Sequence, residues 1–204
     1  GKSTLAEALL EHLGARGWLG AHLGGWRGLD KCFHKKWVHT ERPLGGGGGG
    51  SWESPGAVDH WGVHKLLRQE VWRLEQSLRD GASRHVGAVV VVEGFRSLWD
   101  PLLARRMHAR FELCVDRELA LGRRMDAQGH SEQLAAYLRA ELWPRHERYV
   151  DAAVERTPLV EFLELTSSSP QEALQQVLAS PHLDVLLHAA AVRRAGRAGG
   201  GAGS

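Results

Sequence analysis

Residues 86–95 read VGAVVVVEGF, four consecutive valines closed by an acid and a glycine. β-Branched side chains lose rotamer freedom in a helix and suit a pleated strand. A run without polar alternation fits a parallel strand covered on both faces, so the stretch is expected at the centre of a sheet. Working outward, FELCV at 111–115 and LVEFLEL at 159–165 read as two more short strands. A weaker strand is expected within AHLGGWRGLD at 21–30, where the glycines dilute the signal. Helical patterns lie between them. Leu5, Ala8, Leu9 and Leu13 recur at helical spacing over 2–13, with Gly14 as a stop. A longer pattern carries Val58, Trp61, Leu66, Leu67, Val71, Trp72, Leu74 and Leu78 and ends near Gly81. RELALGRRMDAQGHS and LAAYLRAELWPRHERYVDAAV separate the second and third strands, with Pro144 expected to kink or restart its helix. Pro170 suits the first turn of a closing helix. Strands that alternate with helices need crossovers, which predicts an α/β fold with a parallel sheet flanked by helices.

A chain of 204 residues with 43% hydrophobic content can bury one good core, so a single domain is expected. GGGGGG at 45–50 is low-complexity sequence that should lie at the surface as a loop. RRAGRAGGGAGS, within 192–204, reads as a disordered tail. A formal charge of +2 provides no global field for nucleic acid or an anionic membrane. No apolar run approaches the roughly 20 residues of a membrane helix, and nothing at the N-terminus reads as a signal peptide. Cys32 and Cys114 are too few for a disulfide framework. A soluble protein of a reducing compartment, the cytoplasm, is the expectation.

The chemistry-bearing stretch is GKST at 1–4, directly before the first helix. A phosphate-binding loop has the form GxxxxGK[ST] between strand and helix. Its glycines let backbone N–H groups face phosphate oxygens, its lysine neutralises the β- and γ-phosphates, its hydroxyl holds Mg²⁺ and the helix dipole adds to the field. GKST is the last third of that motif, and taken alone it reads equally well as a solvated N-terminal lysine. The absent front of the motif leads to the expectation of a truncated chain that has lost its first strand and the front of the loop.

In order along the chain stand GKST, LDKCF at 29–33, SWESPGAVD at 51–59, VVVVEGF at 89–95, the arginine pair at 123–124 and LWPRHERY at 142–149. This succession resembles the nicotinamide riboside kinases and the related uridine kinases over roughly 1–178, with 118–142 matching a lid. VEGF and the LWP…Y element look closer to the nicotinamide riboside class. The resemblance implies a P-loop nucleoside kinase with ATP and Mg²⁺ as cofactors and a small-molecule nucleoside as partner. It would phosphorylate the 5′-hydroxyl of a ribonucleoside, nicotinamide riboside first and uridine or cytidine as the alternative, in NAD or nucleoside salvage. A non-catalytic nucleotide-binding homologue is the rival from another class.

By that resemblance Gly1, Lys2, Ser3 and Thr4 bind the nucleotide, with Ser3 on Mg²⁺. Asp30 accepts or orients the proton of the ribose 5′-hydroxyl. Trp52 stacks on the base, and Glu53 accepts hydrogen bonds from the ribose hydroxyls. Glu93, at the carboxyl edge of the valine strand, contacts the Mg²⁺ shell or the acceptor region. A carboxylate is costly there unless it serves a site. Arg123 and Arg124 begin the lid and stabilise charge on the transferring phosphoryl group. The bland readings are a turn aspartate for Asp30, a surface loop for Trp52 and Glu53, and a solvated helix face for the arginines. Four positions depart from the family pattern: Lys31 replaces a second acid, Glu53 an aspartate, Ala127 a third lid arginine, and Gly129 with His130 an aromatic wall. Adenine is expected near 166–169, and Trp143, Pro144 and Tyr149 read as packing. His60 and His64 share a helical face, but without a third ligand they do not argue for zinc.

Overall fold

The computed structural model describes residues 1–24, 59–80, 85–94, 97–98, 100–128, 132–157, 159–165 and 169–199. It is a mixed α/β structure with short parallel strands in two small sheets. Asp30, Trp52 and Glu53 lie outside the described residues, as do Lys31, Cys32, Gly129, His130, the 45–50 insert and residues 166–168.

Helix α1 (Lys2–Gly14) buries Leu5, Ala6, Leu9 and Leu13 as one stripe, with Leu13 wholly excluded from solvent. Gly14 is its last residue, and the left-handed turn falls instead at Gly17, with φ 84°, where a side chain would be strained. Strand β1 (Trp18–Leu23) follows at once, starting earlier than the glycine-rich stretch suggests. At Gly20, inside it, a Cβ would fall 2.7 Å from Leu10 Cδ2, so a larger residue would have to push that side-chain end aside. Helix α2 (His60–Asp80) leads to β2 (Gly87–Val92), formed by the valine run. β1 and β2 pair in parallel, from Trp18 opposite Gly87 to Leu23 opposite Val92.

The short helix α3 (Pro101–Ala104) precedes β3 (Phe111–Cys114). Helices α4 (Arg117–Gln128) and α5 (Glu132–Tyr137) then run into a π-helical turn at Leu138–Leu142 and α6 (Trp143–Arg156). The wide turn has a local cause: Pro144, in the first turn of α6, has no N–H for the carbonyl four residues back. Strand β4 (Glu161–Glu164) pairs in parallel with β3, Phe111 opposite Glu161 and Cys114 opposite Glu164. Ser169 caps α7 (Pro170–Leu178): its Oγ accepts from Glu172 N at 3.2 Å and its N donates to Glu172 Oε2 at 2.6 Å. Helix α8 (Pro181–Gly199) closes the described chain. The helix continues past 192, where a disordered tail is expected, since alanine and arginine favour helix. The fold also extends past 178, because Leu183 is buried in the main core.

That core joins Leu5, Leu9 and Leu13 of α1 to Leu163, Ala173, Leu174, Val177 and Leu183, with Val89, Val91, Phe111 and Leu113 packed against it. A second cluster sets Val63 of α2 and Leu103 of α3 against Val92 and Met107, and a third joins Leu98, Tyr149 and Ala153. Helices therefore cover the strands from opposite sides, in the layered manner of α/β proteins. One expectation is corrected. Among the described residues the valine strand pairs with β1 alone, so there it is an edge strand and not the centre of a larger sheet.

Asp100 caps α3, its Oδ1 accepting from Leu102 N at 2.8 Å, while Oδ2 lies 2.7 Å from His64 Nε2. Burial pushes this carboxyl up, but the His64 contact and the backbone N–H groups outweigh it, and the net shift is downward. A carboxyl depressed in the folded state stabilises above its unfolded value, and the contribution fades as pH falls through the folded value. Asp100→Ala is expected to cost about 1 kcal/mol near neutrality. The difference from the parent chain should shrink as denaturation is repeated below the ordinary carboxylate range.

Candidate functional site

Parallel strands carry their ligand-facing residues at the carboxyl ends, where chain and helix termini leave room. Glu93 stands there, one residue past β2, and is 9% exposed. It accepts a hydrogen bond from Ser3 Oγ at 2.7 Å, across 90 residues of sequence. This contact ties the first turn of α1 to the end of the valine strand. Glu93 Oε1 also lies 3.6 Å from His22 Nε2, which is buried without a hydrogen-bond partner in the structure. Gly24 passes so close that a Cβ would fall 2.3 Å from Glu93 Cγ and Oε1. Gly24→Ala is therefore expected to swing the carboxylate away and break the Ser3 bond. The clash reaches Cγ and Cδ of a buried glutamate as well as its carboxylate, so thermal stability should fall too, and any activity that uses Glu93 should fall at least as far as it does in Ser3→Ala.

Lys2 lines a large cavity together with Glu93, Gly94, Glu112, His146 and Glu147. The first N–H groups of a helix have no intrahelical partner, and here the first backbone bond of the ladder runs from Leu5 N to Gly1 O. The Gly1 amine donates to Thr4 Oγ1 at 3.5 Å. The helix start thus combines an ammonium side chain, unsatisfied backbone donors and the positive end of a dipole. Beside it, burial raises the Glu112 carboxyl to about 7, against the pull of Lys2. Burial lowers His146, the positive charge of Lys2 lowers it further, and Glu147 acts in the opposite sense.

Of the residues singled out in sequence, the structure brings Lys2, Ser3 and Glu93 to one rim. Arg123, exposed, and Arg124, half-buried, sit on α4; neither lines the cavity that Lys2 and Glu93 share. Trp143, Pro144 and Tyr149 all lie in α6; Tyr149 is buried in the third cluster, and Trp143 donates to Glu147 Oε1 at 2.6 Å. His22, Glu112 and His146 escape the sequence reading. Glu112 carries the signal that marks Glu93, an acid inside an apolar strand.

The donor set suits a hard divalent ion that retains most of its waters, since Mg²⁺ commonly takes one or two protein oxygens. Ser3 Oγ and Glu93 Oε1, 2.7 Å apart, are such a pair. Among the described residues no group of three or more His, Cys, Asp or Glu side chains is placed to hold a metal ion, so a closed protein cage of zinc type is not built there. Among them, too, no helix is long and apolar enough to cross a membrane. No protein-family model matches the sequence, and no curated protein matches it at a significant level.

Proposed function

We propose that the chain is a P-loop-type nucleoside kinase that transfers the γ-phosphoryl group of ATP to the 5′-hydroxyl of a ribonucleoside, nicotinamide riboside above uridine or cytidine. The observation that carries this reading is the 2.7 Å contact of Ser3 with Glu93, beside Lys2 at the start of α1. Phosphoryl transfer asks little covalent help of a protein; it needs charge neutralised and the acceptor held in line. In NTPases of the P-loop kind, a hydroxyl at the helix start and a carboxylate at a strand end share the metal. Ser3 and Glu93 have those chemistries in that relation.

Lys2 would hold the β- and γ-phosphates, and the amides of the first turn of α1 would donate to phosphate oxygens. Ser3 and Glu93 would hold Mg²⁺, which when bound neutralises charge on the phosphates. Asp30 would accept or orient the proton of the acceptor hydroxyl, and Trp52 and Glu53 would hold base and ribose. Arg123 and Arg124 would reach the phosphoryl group only from a lid that closes over the site, with exclusion of water as the consequence.

The test is a competition between nicotinamide riboside and uridine with Mg²⁺·ATP, with 5′-monophosphates separated and quantified. Nicotinamide mononucleotide in excess is the expected product, and Asp30→Ala should retain nucleotide binding while losing turnover. Excess uridine monophosphate would move the substrate to the pyrimidine class. Nucleotide binding without product from any nucleoside would favour the non-catalytic homologue that Lys31, Glu53, Ala127 and Gly129 suggest.

A further inference from the structure

Helix α2 turns Val63 and Leu74 inward, and both are buried. On the opposite side one stripe runs from Trp61 through Lys65, Arg68, Trp72 and Glu75 to Arg79, and all six residues are exposed. Trp61 is 70% exposed and Trp72 64%. Indole carries a large apolar area, and tryptophan and arginine are enriched where proteins bind one another, so two such rings set among cations mark a docking face. Within the chain Arg68 already lies over the Trp61 ring, 5.3 Å from its centroid. A guanidinium is flat and has two faces, which leaves one for a second ring.

Steps along the stripe are 4, 3, 4, 3 and 4 residues. That is the seam spacing by which two helices lie along each other at about 20°. The chemistry of the seam then selects partner and direction. When a second α2 lies antiparallel, with the twofold axis level with residue 70, Trp61 of each copy meets Arg79 of the other, Lys65 meets Glu75 and Arg68 meets Trp72. Every one of these contacts is an opposite-charge pair or a cation over an indole. A parallel pair would instead set Lys65 on Lys65, Arg68 on Arg68 and Glu75 on Glu75. Sliding the antiparallel pair by one heptad sets Lys65 on Arg68, or Arg68 on Arg79. Of these registers only the first avoids like charges, which cost several-fold in affinity when they face each other.

We propose that this stripe is the interface of a symmetric dimer of the chain, in which two α2 helices pack antiparallel. The seam is about 27 Å long at 1.5 Å per residue. Its tryptophans supply the apolar burial, and its charges set the direction, since polar residues at seam positions cost stability but fix register. Six residues a side fall well short of the roughly 20 to 30 of a standard interface, so the dimer is weak, with a dissociation constant on the order of 10 to 100 μM. The proposal uses neither Lys2 nor Glu93 and stands or falls apart from the kinase reading.

The test is sedimentation equilibrium of the 204-residue chain and three variants from about 1 μM to about 1 mM, a range that brackets that constant. The parent is expected to pass from monomer to dimer and no further, because a twofold contact closes on itself. Lys65→Glu and Glu75→Lys each place like charges opposite one another at two symmetric points, and each should weaken association about tenfold or more. Both changes together restore the two pairs, and that double variant should dimerise like the parent. Positions 65 and 75 are exposed and ten residues apart on one helix, so no contact within a single chain accounts for such a rescue. A monomer throughout, association indifferent to the single reversals, or a double variant as weak as the singles overturns the proposal. A chain that stays monomeric yet binds phosphatidylserine vesicles through Trp61 and Trp72 also overturns it, since the stripe would then serve an anionic bilayer.

Discussion

Lys2→Ala is expected to lower phosphoryl transfer by about 10² to 10³-fold, the usual consequence of removing one preorganised charge or donor from a developing anion. The lysine begins α1 and lines the cavity with Glu93 and Glu112, so its ammonium group adds a full positive charge to the helix dipole at that rim. Folding should survive, because Lys2 is exposed and contributes nothing to the apolar stripe of Leu5, Leu9 and Leu13. The check is kcat and nucleotide affinity measured side by side. A fall in kcat with a folded chain supports contact with the transferred group. Unchanged kinetics would return Lys2 to the solvated lysine that GKST alone equally allows.

The second large effect concerns Glu112. Its carboxyl is raised to about 7 from an ordinary value of 4.5, chiefly by burial, and Lys2 only partly offsets that. An acid raised in the folded state holds its proton longer than the unfolded chain does. Stability therefore falls as pH climbs from the ordinary carboxylate value towards 7, and levels off above it. A shift of this size corresponds to about 3 kcal/mol at most. Glu112→Gln should remove the dependence, with little change in unfolding free energy at pH 4 and a gain approaching that figure at pH 8. Measured unfolding curves with the same gain at both pH values would show that burial does not hold the proton on Glu112. Lys2→Ala should act in the opposite sense, raising the Glu112 value further and deepening the loss above neutrality.

Much of the architecture is readable from local pattern, and the exceptions have physical causes. The valine run and FELCV are strands because β-branched and aromatic residues leave few alternatives, and both pair in parallel, as strands alternating with helices along the chain imply. The helix at 2–14 follows from one stripe of leucines. β1 is harder to read because the glycines in and after it lie against partners elsewhere in the chain: Gly20 against Leu10, and Gly24, just past the strand, against Glu93. Neither constraint shows in local propensity. The central position expected of β2 follows from its composition, yet the strand has one partner among the described residues, so composition registers the covering layers and not the neighbouring strands. At the site, Ser3 and Glu93 could each be named from sequence, but their contact spans the whole first half of the fold. His22 is invisible without it, since a single histidine in a weak strand has no distinguishing pattern.

The most direct measurement of the central claim is transfer of label from γ-labelled ATP to nicotinamide riboside, with and without Mg²⁺, in the parent chain and in Ser3→Ala and Glu93→Gln. The account predicts a labelled 5′-monophosphate that requires Mg²⁺ and falls steeply in both variants while their folds persist. Transfer that proceeds undiminished in both variants, or no transfer to any nucleoside from a folded chain, would contradict it.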